Sequence, residues 1–470
     1  MELIRMTARQ VLALLDAGEA SPADLLEALR ARIGAVDGPV NALPTLCFER
    51  AFADIDRATG RGVLRGLPVA IKDLANVAGV RTTHGSPIYA DHVPEVSDHV
   101  VERIEDRGGI VFAKSNTPEF GAGASTFNEV FGRTANPWNL SRSAAGSSGG
   151  AAAALASGTA WLAHGSDMGG SLRNPASFCG VVGLRPSPGL IPRAPSADAF
   201  GTLAQEGPMA RNVADLALLL DAMAGADPRE PLGFDAEDHL SAALAPRMPL
   251  RVAYSPDLGI TPVDPEVAAV TEAAAWRCEA LGARVDLACP DFDGAHEAFQ
   301  TLRAVSFAAG HQEHYRDKRD LLKPDIVWNI ERGLALTGAD VARATRLRTA
   351  LVERMAAFLG DYDLLLCPTT IVPPFPVEDR TVTRCNGVEF ETYIDWLAIV
   401  YAITLTGAPA LSLPCGFTAD GLPVGLQMIA PVRGEKRLLA AAAALEAELG
   451  LDLGPIDPRG ADGAEAQSGT

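Results

Sequence analysis

Three short stretches of this chain carry side chains that could make and break bonds. The first is "GLPVAIKD", in which Lys72 closes an apolar run. The second is "AGSSGG", residues 145–150, which sets Ser147 and Ser148 among glycines. The third is "HGSDMGGSLRNPA", which begins at His164 and contains Ser166, Asp167, Ser171 and Arg173. A serine hydroxyl is a weak nucleophile until a neighbouring base takes its proton. His164, seven residues before Ser171, is one candidate base. Lys72 is another, because a lysine at the end of an apolar strand is partly desolvated. Desolvation disfavours the ammonium form, and a neutral lysine can act as a general base. The glycines of the third stretch leave little side-chain bulk around Met168, Gly169, Gly170 and Ser171, so their backbone N–H groups can converge on an oxyanion. Gly146, Gly149 and Gly150 give the second loop similar freedom. That loop leads into a helix N-terminus, whose free N–H groups favour negative charge. Each stretch also has a plainer reading: a lysine reaching solvent, a serine helix cap, a glycine-rich turn.

Two other catalytic arrangements compete. "GSSGG" satisfies G-x-S-x-G, which makes Ser148 the nucleophile of an α/β-hydrolase, with His239, His296, His311 and His314 downstream. The preceding "NPWNLSRSAAG" lacks the apolar strand such an elbow needs. "HQEH" at 311–314 spaces two histidines for a metal but lacks the H-E-x-x-H pattern, and a solvated helix face accounts for it.

The elements that must position these residues read as alternating strands and helices. Thr7 with Gln10, and Ser21-Pro22-Ala23-Asp24, are helix starts. "LPVAIKD" (67–73) and "IVFAKSN" are expected strands on either side of the helix "DHVVERIEDRGG". "SAAGSSGGAAAALASG" is a loop entering an Ala-rich helix. The stretch from His164 is too polar and glycine-rich for a strand or a helix interior, and is expected as loop. "ARNVADLALLLDAMAG" is an amphipathic helix. "LRVAYSPD", "ARVDLACP", "DLLLCPTT", "APALSLPCG" and "LPVGLQMIA" are strands, and "EKRLLAAAAALEAELG" is a surface helix. The fold class is α/β, one large domain over residues 1–454. Residues 226–360 form a mostly helical elaboration, and 455–470 a disordered tail.

In order, wording and spacing these stretches resemble the amidase signature hydrolases. That family carries a lysine in G-[IV]-P-x-x-[IV]-K-D, then G-G-S-S-G-G, then G-[ST]-D-x-G-G-S-[IV]-R-x-P-A. Here Lys72 precedes Ser147 by 75 positions and Ser147 precedes Ser171 by 24, and the likeness extends over roughly residues 5–450. The resemblance implies a central mixed sheet covered by helices. It implies Ser171 as nucleophile and Ser147, held after a cis peptide bond from Gly146, as the bridge to a neutral Lys72. It also implies an oxyanion hole from the N–H groups of Met168, Gly169, Gly170 and Ser171. Ser148, Asp167, Arg173 and Asp73 are expected to order these loops. Ala145 and Met168 replace the usual glycine and threonine. The family also includes the amidase subunit of the glutamine-dependent tRNA amidotransferase, which works within an assembly.

Composition limits the partners. A net charge of −19 argues against nucleic acid and anionic membrane as ligands. No apolar run reaches the ~20 residues of a membrane span. The seven cysteines are scattered, as in a cytoplasmic enzyme with reduced thiols. No cofactor and no metal is expected. The expected substrate is a small apolar or aryl amide, with esters and carbamates as further substrates and a homodimer as an allowed assembly. That preference rests on Met168 and on Phe307, Trp328 and Trp396, with residues 226–360 expected to shape the pocket.

Overall fold

Eleven strands share one sheet, and their order explains how residues distant in sequence meet. The computed structural model describes residues 2–460 apart from 194 and 237. The sheet strands are β1 (Thr45–Leu46), β2 (Pro68–Lys72), β3 (Ile110–Ser115), β4 (Leu162–Asp167), β5 (Val182–Arg185), β6 (Gln205–Ala210), β7 (Arg251–Tyr254), β8 (Arg284–Leu287), β9 (Leu364–Pro368), β10 (Ala410–Phe417) and β11 (Pro423–Ile429). Across the sheet they run β1-β3-β2-β4-β6-β5-β10-β11-β9-β7-β8. β2 is parallel to β3 and β4, and β7 is parallel to β8 and β9. The remaining neighbours are antiparallel, so the sheet is mixed.

The principal helices are α1 (Ala8–Ala17), α2 (Pro22–Val40), α3 (His99–Asp106), α4 (Gly149–Ser157), α5 (Arg173–Cys179), α6 (Val213–Met223), α7 (Pro265–Trp276), α8 (Ala295–Lys318), α9 (Pro324–Ala335), α10 (Gly338–Asp361), α11 (Ala398–Thr406) and α12 (Glu435–Leu449). Capping boxes start α1 at Thr7 and α2 at Ser21, as the sequence indicates. Every residue of α4 is buried. Its alanines and glycines let it pass close to other backbone. A Cβ on Gly150 would lie 2.3 Å from the Asn116 nitrogen, so only glycine fits there.

Two expectations need correction. The stretch from His164 is not all loop: His164–Asp167 complete β4, between β2 and β6, and Arg173 begins α5. Two of its polar side chains, His164 and Asp167, are tolerated in the interior by pairing with groups on other elements. His164 Nε2 lies 2.8 Å from Glu206 Oε2 on β6, itself an unanticipated strand, and Asp167 is held by two arginines. Residues 226–360 are mostly helical, and the two strands expected within them join the main sheet. β7 and β8 extend the main sheet, because the buried Val252, Ala253 and Tyr254 pair in parallel with Leu364–Leu366 on β9. Residues 455–460 are also ordered against the body. Ile456 N–H donates to Ala156 O and Arg459 N–H to Pro137 O, each at 3.0 Å, and Arg32 ion-pairs with Asp457. The rest of the expected tail, 461–470, lies outside the described residues.

Candidate active site

Lys72 ends β2 with its side chain fully buried, and its ammonium is surrounded by serine oxygens. Nζ lies 2.7 Å from Ser147 Oγ, 2.9 Å from Ser148 Oγ and 3.1 Å from Ser166 Oγ, with Ser166 O at 3.4 Å. None of these partners is an anion. Burial brings Lys72 down to about 7, against the opposing pull of the Glu206 and Asp167 carboxylates. The hydroxyl geometry sorts the protons. Ser148 Oγ donates to Ser166 O at 3.3 Å, so it can only accept from Lys72. Ser147 has no such commitment, and its proton is free to turn to the lone pair of a neutral Lys72. The peptide bond between Gly146 and Ser147 is cis. Ala145, where the resembling motif has glycine, keeps a left-handed φ of 56°.

The N-terminus of α4 is less available to an anion than the sequence suggests. Ser148 N–H donates to Ser171 O at 3.1 Å, Gly149 N–H to Thr126 Oγ1 at 3.2 Å and Gly150 N–H to Asn116 O at 3.2 Å. The first of these bonds ties the loop of Ser147 to the loop of Ser171.

Residues 168–172 link β4 to α5 and carry Ser171. Asp167, at the end of β4, organises this turn. Its carboxylate accepts from Gly170 N–H (2.9 Å), Leu172 N–H (3.1 Å), Arg173 Nε (3.0 Å) and Arg173 Nη2 (2.9 Å). Burial alone would raise this carboxyl. The Arg173 guanidinium, with Arg185 and the Gly170 N–H, outweighs that and holds it well below the usual carboxylate range. Arg173 also donates to Val400 O, Gln427 Oε1 and Thr404 Oγ1, tying the turn to α11 and β11. Both side chains are fully occupied in holding the loop. The expected oxyanion hole therefore narrows. Gly170 N–H is committed to Asp167, which leaves Met168, Gly169 and Ser171 as the amides without an acceptor among the described residues. Gly170 has φ 99°, and a Cβ there would meet Val400 Cγ2 at 2.5 Å.

These groups face a cavity of about 170 Å3, lined on one side by Ser147, Ser166, Met168, Gly169 and Ser171. Among the described residues, no hydrogen bond joins Ser171 Oγ to another side chain, so it faces the cavity free. Leu74, Phe120, Phe299, Phe307 and Leu397 make much of the wall apolar, and Arg303, Tyr393 and His311 add polar groups. Phe299 covers Gly169: a Cβ there would stand 3.0 Å from the ring. Phe307 and Met168 line the cavity as expected, but Trp328 packs on Tyr393 and the buried Trp396 on Phe375, outside it.

The histidines find other partners. His164 is bonded to Glu206, His239 to Asp221 and His296 to Tyr401. His311 and His314 do not form the solvated face expected of them. His311 packs at a tilt against Phe120 at 4.5 Å, and burial brings it down to about 4; His314 Nε2 lies 2.8 Å from Tyr89 OH. Ser148, fully buried against Lys72, has neither the exposure nor the histidine an α/β-hydrolase nucleophile needs. Among the described residues no cluster of His, Cys, Asp or Glu could hold a metal, and no helix is long and apolar enough to cross a membrane. Asp73, as expected, orders the Lys72 loop through Thr83 and an ion pair with Lys114 at 3.2 Å. Sequence reasoning missed Ser166 as a Lys72 contact, along with Arg185, Gln427 and Arg303. Ser166 sits in "HGSDMGGSLRNPA" and Gln427 in "LPVGLQMIA"; Arg303 carried no local signal.

Known proteins share this framework. The family model described as Amidase matches residues 24–439. The chain is 38% identical to an acylamidase of Rhodococcus erythropolis, with 94% of this chain and 95% of that one covered. It is 36% identical to a glutamyl-tRNA(Gln) amidotransferase subunit of Moorella thermoacetica, covering 95% and 97%. Its fold matches the crystal structure of a bacterial aryl acylamidase of the amidase signature family with a TM-score of 0.88 at 27% identity, covering 94% and 96%.

Proposed function

We infer the catalytic route for a chain that belongs to the amidase family and is an amide C–N hydrolase: Ser171 is its nucleophile and Lys72, through Ser147, its base. The observation that carries this reading is the buried Lys72 bonded to Ser147 at 2.7 Å beside a cavity that Ser171 also lines. Ser171 Oγ attacks the substrate carbonyl, its proton passes to Ser147 Oγ, and the Ser147 proton passes to Lys72 Nζ. The oxyanion is met by the N–H groups of Met168, Gly169 and Ser171. As the C–N bond breaks, the same relay returns a proton to the departing nitrogen. Water then attacks the acyl-Ser171 ester by the same route, releasing the acid. Bonds and protons balance without any cofactor or metal.

The substrate class is a small amide with an aryl or apolar portion, a reading supported by the Phe299, Phe307 and Phe120 rings and by the acylamidase relative. Esters and carbamates share the acyl-enzyme chemistry. A cytoplasmic setting fits the seven free cysteines. The test is a panel of anilides, primary amides, esters, carbamates and glutamine, run with wild type and Ser171→Ala. Turnover that Ser171→Ala abolishes, with a covalent acyl adduct on Ser171 seen by mass spectrometry, supports the reading. Undiminished turnover by Ser171→Ala overturns it. Glutamine is included because an amidotransferase component is also a relative.

A further inference from the structure

The cavity contains a buried cation that has no ion-pair partner among the described residues. Arg303 lies on α8, is 6% exposed and lines the cavity that holds Ser171. Its nitrogen contacts are neutral: Nη1 donates to Asn329 Oδ1 and Nη2 to Tyr393 OH at 2.7 Å. No carboxylate among the described residues forms an ion pair with it. Asp325, close by on α9, pairs with Lys323 at 3.5 Å, and Asp395 accepts from Gln300 and Thr392. A guanidinium has five N–H donors and stays charged at any working pH. Two are used here, and among the described residues Nε–H and the others find no acceptor. Tyr393 repeats the pattern. Its hydroxyl accepts from Arg303 Nη2 and, at 2.6 Å, from Asn329 Nδ2, and among the described residues it donates to nothing.

Burying an unpaired charge is costly, and a site that keeps one is arranged for an anion that arrives. The Phe307 ring, 4.4 Å from the guanidinium carbon, supports the cation from one side but satisfies none of its N–H groups. We propose that Arg303 and Tyr393 form a subsite for a carboxylate carried by the amide substrate, so that the preferred substrates are amides bearing a free acid rather than wholly apolar ones. This rests on the reading that the cavity beside Ser171 is where the amide is hydrolysed. Phe299, which covers Gly169 of the nucleophile turn, precedes Arg303 by one helical turn, about 6 Å along the axis. The acid and the scissile carbonyl are therefore separated by a short chain or one ring. Arg303 with its Tyr393 partner presents several donors at once, which suits the planar, two-oxygen carboxylate.

The experiment compares kcat/KM of the full-length enzyme on matched pairs. Monoanilides of succinic, glutaric and adipic acid are set against the neutral anilides of the same chain length, and N-acetyl-4-aminobenzoate against acetanilide. The first series places the acid on the acyl side and the second on the amine side. Wild type is expected to favour one acid-bearing series at least tenfold, mainly through KM. Arg303→Met is expected to erase that preference and Tyr393→Phe to reduce it several-fold, with thermal unfolding confirming that each variant is folded. The wild-type ratio alone decides if Arg303→Met does not fold. Wild type turning over every neutral partner as well as its acid overturns the carboxylate subsite, while loss of that turnover in Ser171→Ala leaves the catalytic reading standing. A preference that survives in folded Arg303→Met assigns it elsewhere and equally overturns the proposal.

Discussion

At the scale of single residues, the property that separates the proposed site from a histidine-based one is where its proposed base titrates. Lys72 is surrounded by hydroxyl and carbonyl oxygens, and burial brings it to about 7 from an ordinary 10.5. Only the neutral amine can take the Ser147 proton, so the protonated fraction is the inactive one. kcat/KM is therefore expected to rise through a single ionisation near pH 7 and to stay level above it, as read from a pH–rate profile on an uncharged anilide. A profile already level at pH 5 would place the base elsewhere. Lys72→Met is expected to lower kcat by ~10³-fold, within the range a positioned base contributes. Lys72→Arg should not restore it, because a guanidinium cannot lose its proton. Ser147→Ala should cost more than Ser148→Ala, since the Ser148 proton is already directed at Ser166 O. The serines and lysine were legible from motif wording and spacing. The free donors of Arg303 were not, because an isolated arginine on a long helix reads as surface until its surroundings are known.

At the scale of elements, the β4–α5 junction is held by one carboxylate. Asp167 binds two backbone N–H groups of the turn and stands against the buried Arg173 and Arg185. Asp167→Asn nearly keeps the shape but leaves two guanidiniums without their anion in the interior. A destabilisation of about 3–5 kcal/mol is expected from such a broken buried pair, measured as a shift in the urea midpoint at unchanged m-value. Activity should fall with it, because the Gly169 and Ser171 amides lose their fixed direction. An unchanged midpoint would show that the arginines are compensated elsewhere. The same junction shows why part of the fold escaped the sequence. β4 and β6 pair with each other over six residues, yet their text ("HGSD", "QEGP") is polar and carries neither alternation nor an apolar run. His164 Nε2 pairs with Glu206 and Asp167 with the arginines, and local patterning cannot register a partner 42 residues away. Strands whose burial is apolar, such as β2, β9 and β11, were legible for the opposite reason.

At the scale of the whole molecule, one expected pH effect on stability lies far from catalysis, where the N-terminal helix, α6 and α12 come together. Asp215 on α6 accepts from Ala8 N–H and Arg9 N–H at the start of α1, and Glu446 on α12 accepts from Val213 N–H at the start of α6. The helix starts thus borrow acids from other helices, which couples the two ends of the chain through α6. Burial lifts the Glu446 carboxyl from 4.5 to about 7, the Val213 N–H opposing and the Asp215 carboxylate adding to it. A group whose pKa is higher folded than unfolded binds more protons in the folded state between those two values. Stability is then full below about 4.5 and declines as pH rises to about 7, where the folded carboxyl must ionise. Glu446→Gln keeps the oxygen that accepts from Val213 and removes the ionisation. The variant is expected to match wild type near pH 4 and to unfold at a higher temperature near pH 8, the gap opening between those values. Lys72 contributes with the opposite sign and in a higher window, because its pKa is lowered by folding, so it cannot produce the same gap. Thermal unfolding of wild type and Glu446→Gln across pH 4–8 separates the two. A gap that is constant with pH would mean that the Glu446 carboxyl titrates alike in the folded and unfolded chain and that the effect of the substitution is one of packing alone.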